Sequence, residues 1–287
     1  MNRILGIILV AISAASFGTF AILGRYAYAD GLDAPTILFL RFSLATLVLI
    51  PVLITRRESL PRGPSLARLV GMGAIGYVGQ AMAYLSALKY ASSGLVALLL
   101  YLYPIFVALL SAIVLREKIT RPTALALALT LIGLALTVGP EGGQLIGILL
   151  AIAAAMIYSV YILVGTQVLK QVSPLMSSTI IFGSAAAVSG LIMLAGGPHW
   201  PASTAGWATI GAIVIIATVV AVVTFLAGLE RIGPTNAALL STLEPAVTVV
   251  LAALLLGESL SPLSLLGGGL ILLAVVLLTR TELRRQG

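Results

Sequence analysis

Glu244 sits inside a long apolar run, directly before Pro245. A carboxylate at the centre of a membrane costs a few kcal/mol, about 2.5–3.5 on insertion scales for Asp. It must therefore face a cavity, carry a proton or have a partner. One reading makes Glu244 a contact for a substrate amine, or a proton-binding group. The other makes it a structural partner for backbone that Pro245 frees, since proline lacks an N–H and displaces a carbonyl one turn back. Both stay open. Aromatic and polar residues recur at helical spacing elsewhere. Tyr77 and Tyr84 lie two turns apart on one face, with Gln80 on a neighbouring part of that surface. Phe17 with Phe20, and Tyr158 with Tyr161, are i, i+3 pairs. Tyr101 and Tyr103, two apart, cannot both point squarely to one side of a regular helix. With Thr218 and Glu244, these rings suit a small-molecule pocket lined by aromatics and a few hydroxyls. Any single tyrosine can equally be core packing or an interfacial anchor; Tyr26, Tyr28, Tyr90, Trp200 and Trp207 are read as anchors. Pro104 and Pro245 should kink their helices, either as hinges or as static bends.

Other chemistries are poorly supplied. The chain has no cysteine, which excludes disulfides, zinc–thiolate sites and iron–sulfur clusters. His199, the single histidine, lies in the polar 195–206 stretch without companions, so neither a metal site nor a general base is expected. An intramembrane enzyme needs a His–acid pair, paired acids or a Ser–Lys dyad at depth. Only the isolated Glu244 is found, so no catalytic residue is assigned. There is no Walker-type glycine–lysine loop, and no cofactor is expected. Arg41 lies about two turns into its run. It is expected to pair with an outer acid (Glu258, Asp30 or Asp33), or else to attract a substrate carboxylate at the outer mouth. Glu117 and Glu258 should cap helix contacts at the two membrane faces. Gly73, Gly76 and Gly79 form a small-residue stripe for close helix approach, as do Ala14 and Gly18.

The elements that must hold these residues are membrane spans. The sequence is 60% hydrophobic and 9% charged, against about 45–50% and about 25% for soluble domains. Ten runs are long enough to span, or nearly so, a crossing taking about 20 apolar residues. They are Ile4–Ala29, Pro35–Ile54, Leu69–Leu88, Ser93–Leu115, Pro122–Val138, Leu145–Val164, Leu175–Leu194, Trp207–Leu229, Asn236–Leu256 and Pro262–Leu278. Short breaks with turn chemistry separate them, such as Gly139-Pro140-Glu141-Gly142-Gly143 and Gly196-Gly197-Pro198. Arg3 followed by Ile4–Ile12 and small residues resembles a signal peptide, but the apolar stretch continues past Ala15 and should stay in the mature protein.

The first run is also needed by an internal repeat. Pro245 follows Pro104 by 141 residues, and Glu258 follows Glu117 by the same 141. That shift also aligns Gly6 with Gly147, Gly24 with Gly165, Tyr103 with Glu244, Tyr77 with Thr218 and Phe20 with Tyr161. It divides the chain into residues 1–140 and 145–287. With the N-terminus cytoplasmic, 13 of the 16 Lys and Arg fall on the inside, as the positive-inside rule requires. An odd number of spans per half inverts the second half, and the basic Arg116–Arg121 loop has a cation-free counterpart at Gly257–Ser261. The formal net charge of +7 is thus a topology signal and not a nucleic-acid patch. The expected fold is an all-α polytopic membrane protein of ten transmembrane helices in two inverted five-helix repeats, an arrangement that places a substrate site near the midplane.

The sequence resembles the EamA-type drug/metabolite transporter superfamily. The resemblance rests on Ala91-Ser92-Ser93-Gly94 through Pro104 to Glu117, on Gly233-Pro234-Thr235-Asn236-Ala237 through Glu244-Pro245 to Gly257-Glu258, and on Arg41-Phe42. Within it, the chain looks most like YddG-type amino-acid exporters. The resemblance implies an exporter of small metabolites, amino acids including aromatic ones, in a bacterial inner membrane with both termini cytoplasmic. It works by alternating access, with substrate among Phe20, Tyr77, Gln80, Tyr84, Tyr101, Tyr103, Tyr158, Tyr161, Thr218 and Glu244. Its partners are the small-molecule substrate and the lipid bilayer, and a monomer suffices. A multidrug or nucleotide-sugar carrier, and a membrane subunit without transport, are the alternatives.

Overall fold

The structure, a computed structural model, describes residues 3–87, 89–91, 93–138, 144–256 and 262–284. The element order is α1 (Arg3–Ala29), α2 (Ala34–Arg56), α3 (Pro64–Gly71), a π-helical turn (Met72–Tyr77), α4 (Val78–Ala87), α5 (Ser93–Leu100), α6 (Tyr103–Leu110), a second π turn (Ser111–Leu115) and α7 (Arg121–Val138). It continues through α8 (Leu145–Val168), α9 (Pro174–Gly196), α10 (Thr204–Val214), a third π turn (Ile215–Val220), α11 (Ala221–Ile232), α12 (Pro234–Ser241), α13 (Leu243–Leu256) and α14 (Pro262–Arg284). Among the described residues, six rods are long and apolar enough to cross a membrane: α1, α2, α8, α9, the α10–α11 rod and the α12–α13 rod. Shorter apolar helices at Tyr103–Leu115, Arg121–Leu136 and Leu265–Leu277 accompany them.

Local sequence explains several boundaries. Asp33 caps α2 by accepting from the Thr36 N–H at 3.0 Å, and Ser173 caps α9 by accepting from Met176 at 3.1 Å. Ser203 caps α10 by accepting from Gly206 at 3.0 Å, so this rod begins ahead of the Trp207 expected from hydropathy. The third rod likewise starts early, at Pro64. Gly63 there takes a positive φ of 61°, and proline suits the first helical turn.

Each apolar run lies on helix over its described residues, but two are broken. The fourth run is α5 and α6, separated at Tyr101-Leu102, and the ninth is α12 and α13, separated at Thr242. Pro104 and Pro245 cannot donate to Leu100 and Ser241, so each helix gives way one turn ahead of its proline. The π turns were not expected from the pattern. Glu258, the Gly139–Gly143 break and the Gly257–Ser261 loop lie outside the described residues.

Packing is helix on helix throughout. The main pairings are α7 with α14, α2 with α9, α1 with α11 and α13, and α8 with α4 and α6. Small residues permit close approach: a Cβ on Gly133 would sit 2.6 Å from the Gly267 carbonyl oxygen. The α2–α9 pair is strapped at both ends. At one end His199 Nδ1 lies 3.3 Å from the Asp33 carboxylate, and the His199 N–H donates to Thr36 Oγ1 at 3.1 Å. At the other, Ser173 Oγ donates to the Glu58 carboxylate. His199, expected to stand alone, thus has an acidic partner because two loops distant in sequence meet.

Asp30 ties the α1–α2 turn to the α9–α10 loop, accepting from the Ala202 N–H at 2.8 Å and from the backbone and hydroxyl of Ser203. The Ser203 hydroxyl and these amides hold its carboxyl below the ordinary 3.8. A group lowered in the folded state contributes fully above its unfolded value, and its contribution is lost as pH falls through the folded one. The Ala202 and Ser203 amide resonances are therefore expected to titrate together below 3.8. An Asp30→Asn variant should abolish that titration, and a midpoint at or above 3.8 contradicts the account.

Candidate functional site

Deep inside the bundle, five of the rings singled out from the sequence join Phe42 and Phe182 in one continuous train. Phe182 on α9 stacks on Phe42 of α2 at 6.0 Å between centroids. Phe42 meets Tyr77 edge-on at 5.0 Å, and Tyr77 meets Tyr161 of α8 at 6.0 Å. Tyr161 and Tyr158 stack at 5.8 Å, Tyr158 meets Tyr103 at 4.8 Å, and Tyr103 lies 6.2 Å from Tyr101. Each such pair contributes about 0.5–1.5 kcal/mol beyond burial alone.

Arg41 stands at one end of the train and Glu244 towards the other. Arg41 is 3% exposed. Its guanidinium carbon lies 4.4 Å from the Phe20 ring centre, 4.9 Å from Phe42 and 5.8 Å from Tyr77. Its Nε donates to Thr218 Oγ1 at 3.0 Å, and Nη2 to the Ala217 carbonyl at 3.0 Å. The π turn Ile215–Val220 makes this arrangement possible. Thr218 Oγ1 donates 2.8 Å back to the Ile213 carbonyl, five residues earlier, and so offers its lone pairs to Arg41. A π turn at Met72–Tyr77 occupies the corresponding place in the first half and carries Tyr77. Such turns often mark functional positions.

Around Glu244 the two helix breaks meet. Tyr101 lies beside the Glu244 carboxylate, and Arg41 acts on it electrostatically. Tyr103, 2% exposed, donates its hydroxyl to the Ala238 carbonyl at 3.2 Å, while its own carbonyl accepts from Ser159 at 3.2 Å. Gly18 is required beside this site, since a Cβ there would come within 3.0 Å of the Glu244 carbonyl oxygen. Thr248 Oγ1 bridges the same carbonyl to that of Gly18, at 3.1 Å each.

The cluster thus gathers Phe20, Tyr77, Tyr101, Tyr103, Tyr158, Tyr161, Thr218 and Glu244. Tyr101 and Tyr103 both reach it, contrary to expectation, because the helix breaks between Leu100 and Tyr103 and the regular angle between them is lost. Tyr84 packs with Ala87, Val96 and Ala151, within electrostatic range of Glu244 and Tyr101. Gln80 is half-buried on α4, and no hydrogen bond among the described residues ties it to the cluster. The sequence reading did not count Phe42 and Phe182 among the pocket rings, and it placed Arg41 at the outer mouth. Arg41 does not pair with Asp30 or Asp33, which are held by Ser203 and by the α2 cap with His199. Its depth within an apolar run was the signal for an interior role.

Glu117 accepts from Thr235 at 3.1 Å, joining the loop after α6 to the first turn of α12. A separate cleft of about 410 Å³ opens there, lined by Arg3, Lys118, Asn236 and neighbours, none of which belongs to the ring cluster. Among the described residues, no three His, Cys, Asp or Glu side chains form a metal-binding group.

Comparison with known proteins agrees with this architecture. The profile of the family described as EamA-like transporter family matches twice, over residues 4–139 and 145–280. An uncharacterized transporter of Archaeoglobus fulgidus is 28% identical over 94% of this chain and 95% of its own length. The uncharacterized transporter YcbK of Bacillus subtilis is 25% identical over 92% of this chain and 89% of its own. One solved crystal structure superposes with a TM-score of 0.83 at 23% identity, covering 98% of this chain and 99% of that one, which is a likeness of fold.

Proposed function

This chain belongs to the EamA-like transporter family, and on that premise we propose that it exports small metabolites, amino acids including aromatic ones, in the manner of YddG-type exporters. Two inverted halves of five spans each, 1–140 and 145–287, alternate access to a site at the midplane. Both termini are cytoplasmic in a bacterial inner membrane. The observation that carries the reading is the ring cluster, where side chains from both halves converge on one cation and one anion; inverted repeats bind substrate where their halves meet. The doubled family match supports two repeats. Further support comes from the loop contacts: Ser65 with Gln171, Thr235 with Glu117, Gln144 with Tyr90 and Ser203 with Asp30 each join segments that ten alternating crossings put on one side. Pro104 and Pro245, one turn beyond the two breaks, are the hinges of the cycle.

Counterflow in vesicles containing only this protein tests the reading. Labelled amino acids are expected to accumulate against unlabelled internal amino acid, whereas nucleotide sugars and cationic drugs neither accumulate nor compete. Accumulation of those compounds without any amino acid transfers the assignment to the corresponding carrier, and no flux at all to a non-transporting subunit. Single cysteines replacing Lys118 and Ser259 are expected to label from opposite faces. Labelling from one face removes the inverted arrangement.

A further inference from the structure

Arg41 is sealed in the bundle with no carboxylate at ion-pair distance among the described residues. Glu244 has a phenol, Tyr101, and likewise no cation that close. Opposite charges held in one low-dielectric cluster, yet apart, are an unusual arrangement, because a buried charge without a partner is strongly disfavoured. A direct Arg41–Glu244 pair would remove that cost, and the fold withholds it. Instead Phe20 and Phe42 lie against the guanidinium, and Thr218 and the Ala217 carbonyl fix two of its nitrogens. Those acceptors, with Tyr77, engage only part of its five N–H donors. Rings lie against its faces, and the N–H donors left over suit a planar carboxylate.

We propose that Arg41 and Glu244 are the two poles of a site for an α-amino-acid zwitterion, Arg41 binding the carboxylate and Glu244 the ammonium. The assignment rests on the export reading and narrows it to ligands carrying both charges. A zwitterion answers both charges at once. A monoamine leaves Arg41 unanswered, and a monocarboxylate leaves Glu244 so. The tyrosines between the poles contact the ligand's side chain with rings and hydroxyls but no fixed charge, so the backbone of the ligand is read strictly and its side chain loosely. Thr218 is a positioning residue: through Nε it sets the direction in which the guanidinium edge points.

The test uses the full-length protein in vesicles, with labelled phenylalanine, or whichever amino acid is carried, and its amine-only and acid-only analogues (for phenylalanine, phenethylamine and 3-phenylpropionate). Both analogues are expected to compete about tenfold or more weakly than the amino acid, the worth of one buried charge-assisted contact. Arg41→Gln should erase the discrimination against the amine while sparing that against the acid. Glu244→Gln should do the reverse. Analogues that compete with wild-type protein as well as the amino acid overturn the two-pole site and leave export standing, a result independent of whether either variant folds. Absence of any amino-acid flux overturns both.

Discussion

Replacing Arg41 with methionine is expected to lower stability by about 1–3 kcal/mol, the scale for buried hydrogen-bonding groups left without a partner. Two effects add. Thr218 and the Ala217 carbonyl lose their donors on the π turn, and Glu244 loses the cation that acts on it. Methionine keeps a similar reach among Phe20, Phe42 and Tyr77, so the loss reflects charge and hydrogen bonding more than volume. Adding Glu244→Met is then expected to recover part of the loss, because it removes the uncompensated carboxylate, while flux stays abolished. A double-mutant cycle on unfolding in detergent measures this. Additivity within about 0.5 kcal/mol would mean that the two charges are energetically independent.

Gly73→Val should be comparably severe for a different reason. A Cβ at Gly73 collides with Ser184 Oγ and with the Ile181 carbonyl oxygen, and lies 3.0 Å from the Ile181 carbonyl carbon. The serine can rotate away, but the Ile181 backbone in α9 cannot. Overpacking in a tight core costs typically about 1–3 kcal/mol and more where backbone must move. The third rod would be forced off α9, and Tyr77 with it, so both melting temperature and flux should fall. Gly79→Ala, in the same stripe, meets nothing within 4 Å and should melt like wild type. Equal effects at the two positions would contradict this.

The contrast between Gly73 and Gly79 shows how far the sequence could be read. The stripe itself is visible as spacing, but which glycine touches a neighbouring backbone depends on α9, far along the chain. Helix existence was legible because apolar length is a strong signal for a crossing, and the described part of each run is indeed helical. The breaks at Tyr101-Leu102 and Thr242 were less so. Proline in a span announces a disturbance without saying whether it bends or interrupts the helix, and that choice decided where Tyr101 points. The π turns left no mark, since an extra residue in a turn is dictated by packing and not by residue type. Arg41 was assigned to outer acids close to its own end of the membrane. Its true acceptor, Thr218, lies 177 residues away and becomes visible only after folding. Spacing still found most of the ring cluster, because helical periodicity places rings on one face whatever that face meets. Gln80 and Tyr84 share the periodicity but are not part of the ring train.

The two straps on α2 and α9 have a mechanical consequence. Each uses the capping residue of one rod and a loop residue just past the end of the other: Asp33 with His199, and Ser173 with Glu58. Fastened at both rims, this pair resists splaying at either and behaves as an axle. Any passage that opens first on one side and then on the other must therefore swing the remaining rods about a shaft that stays closed.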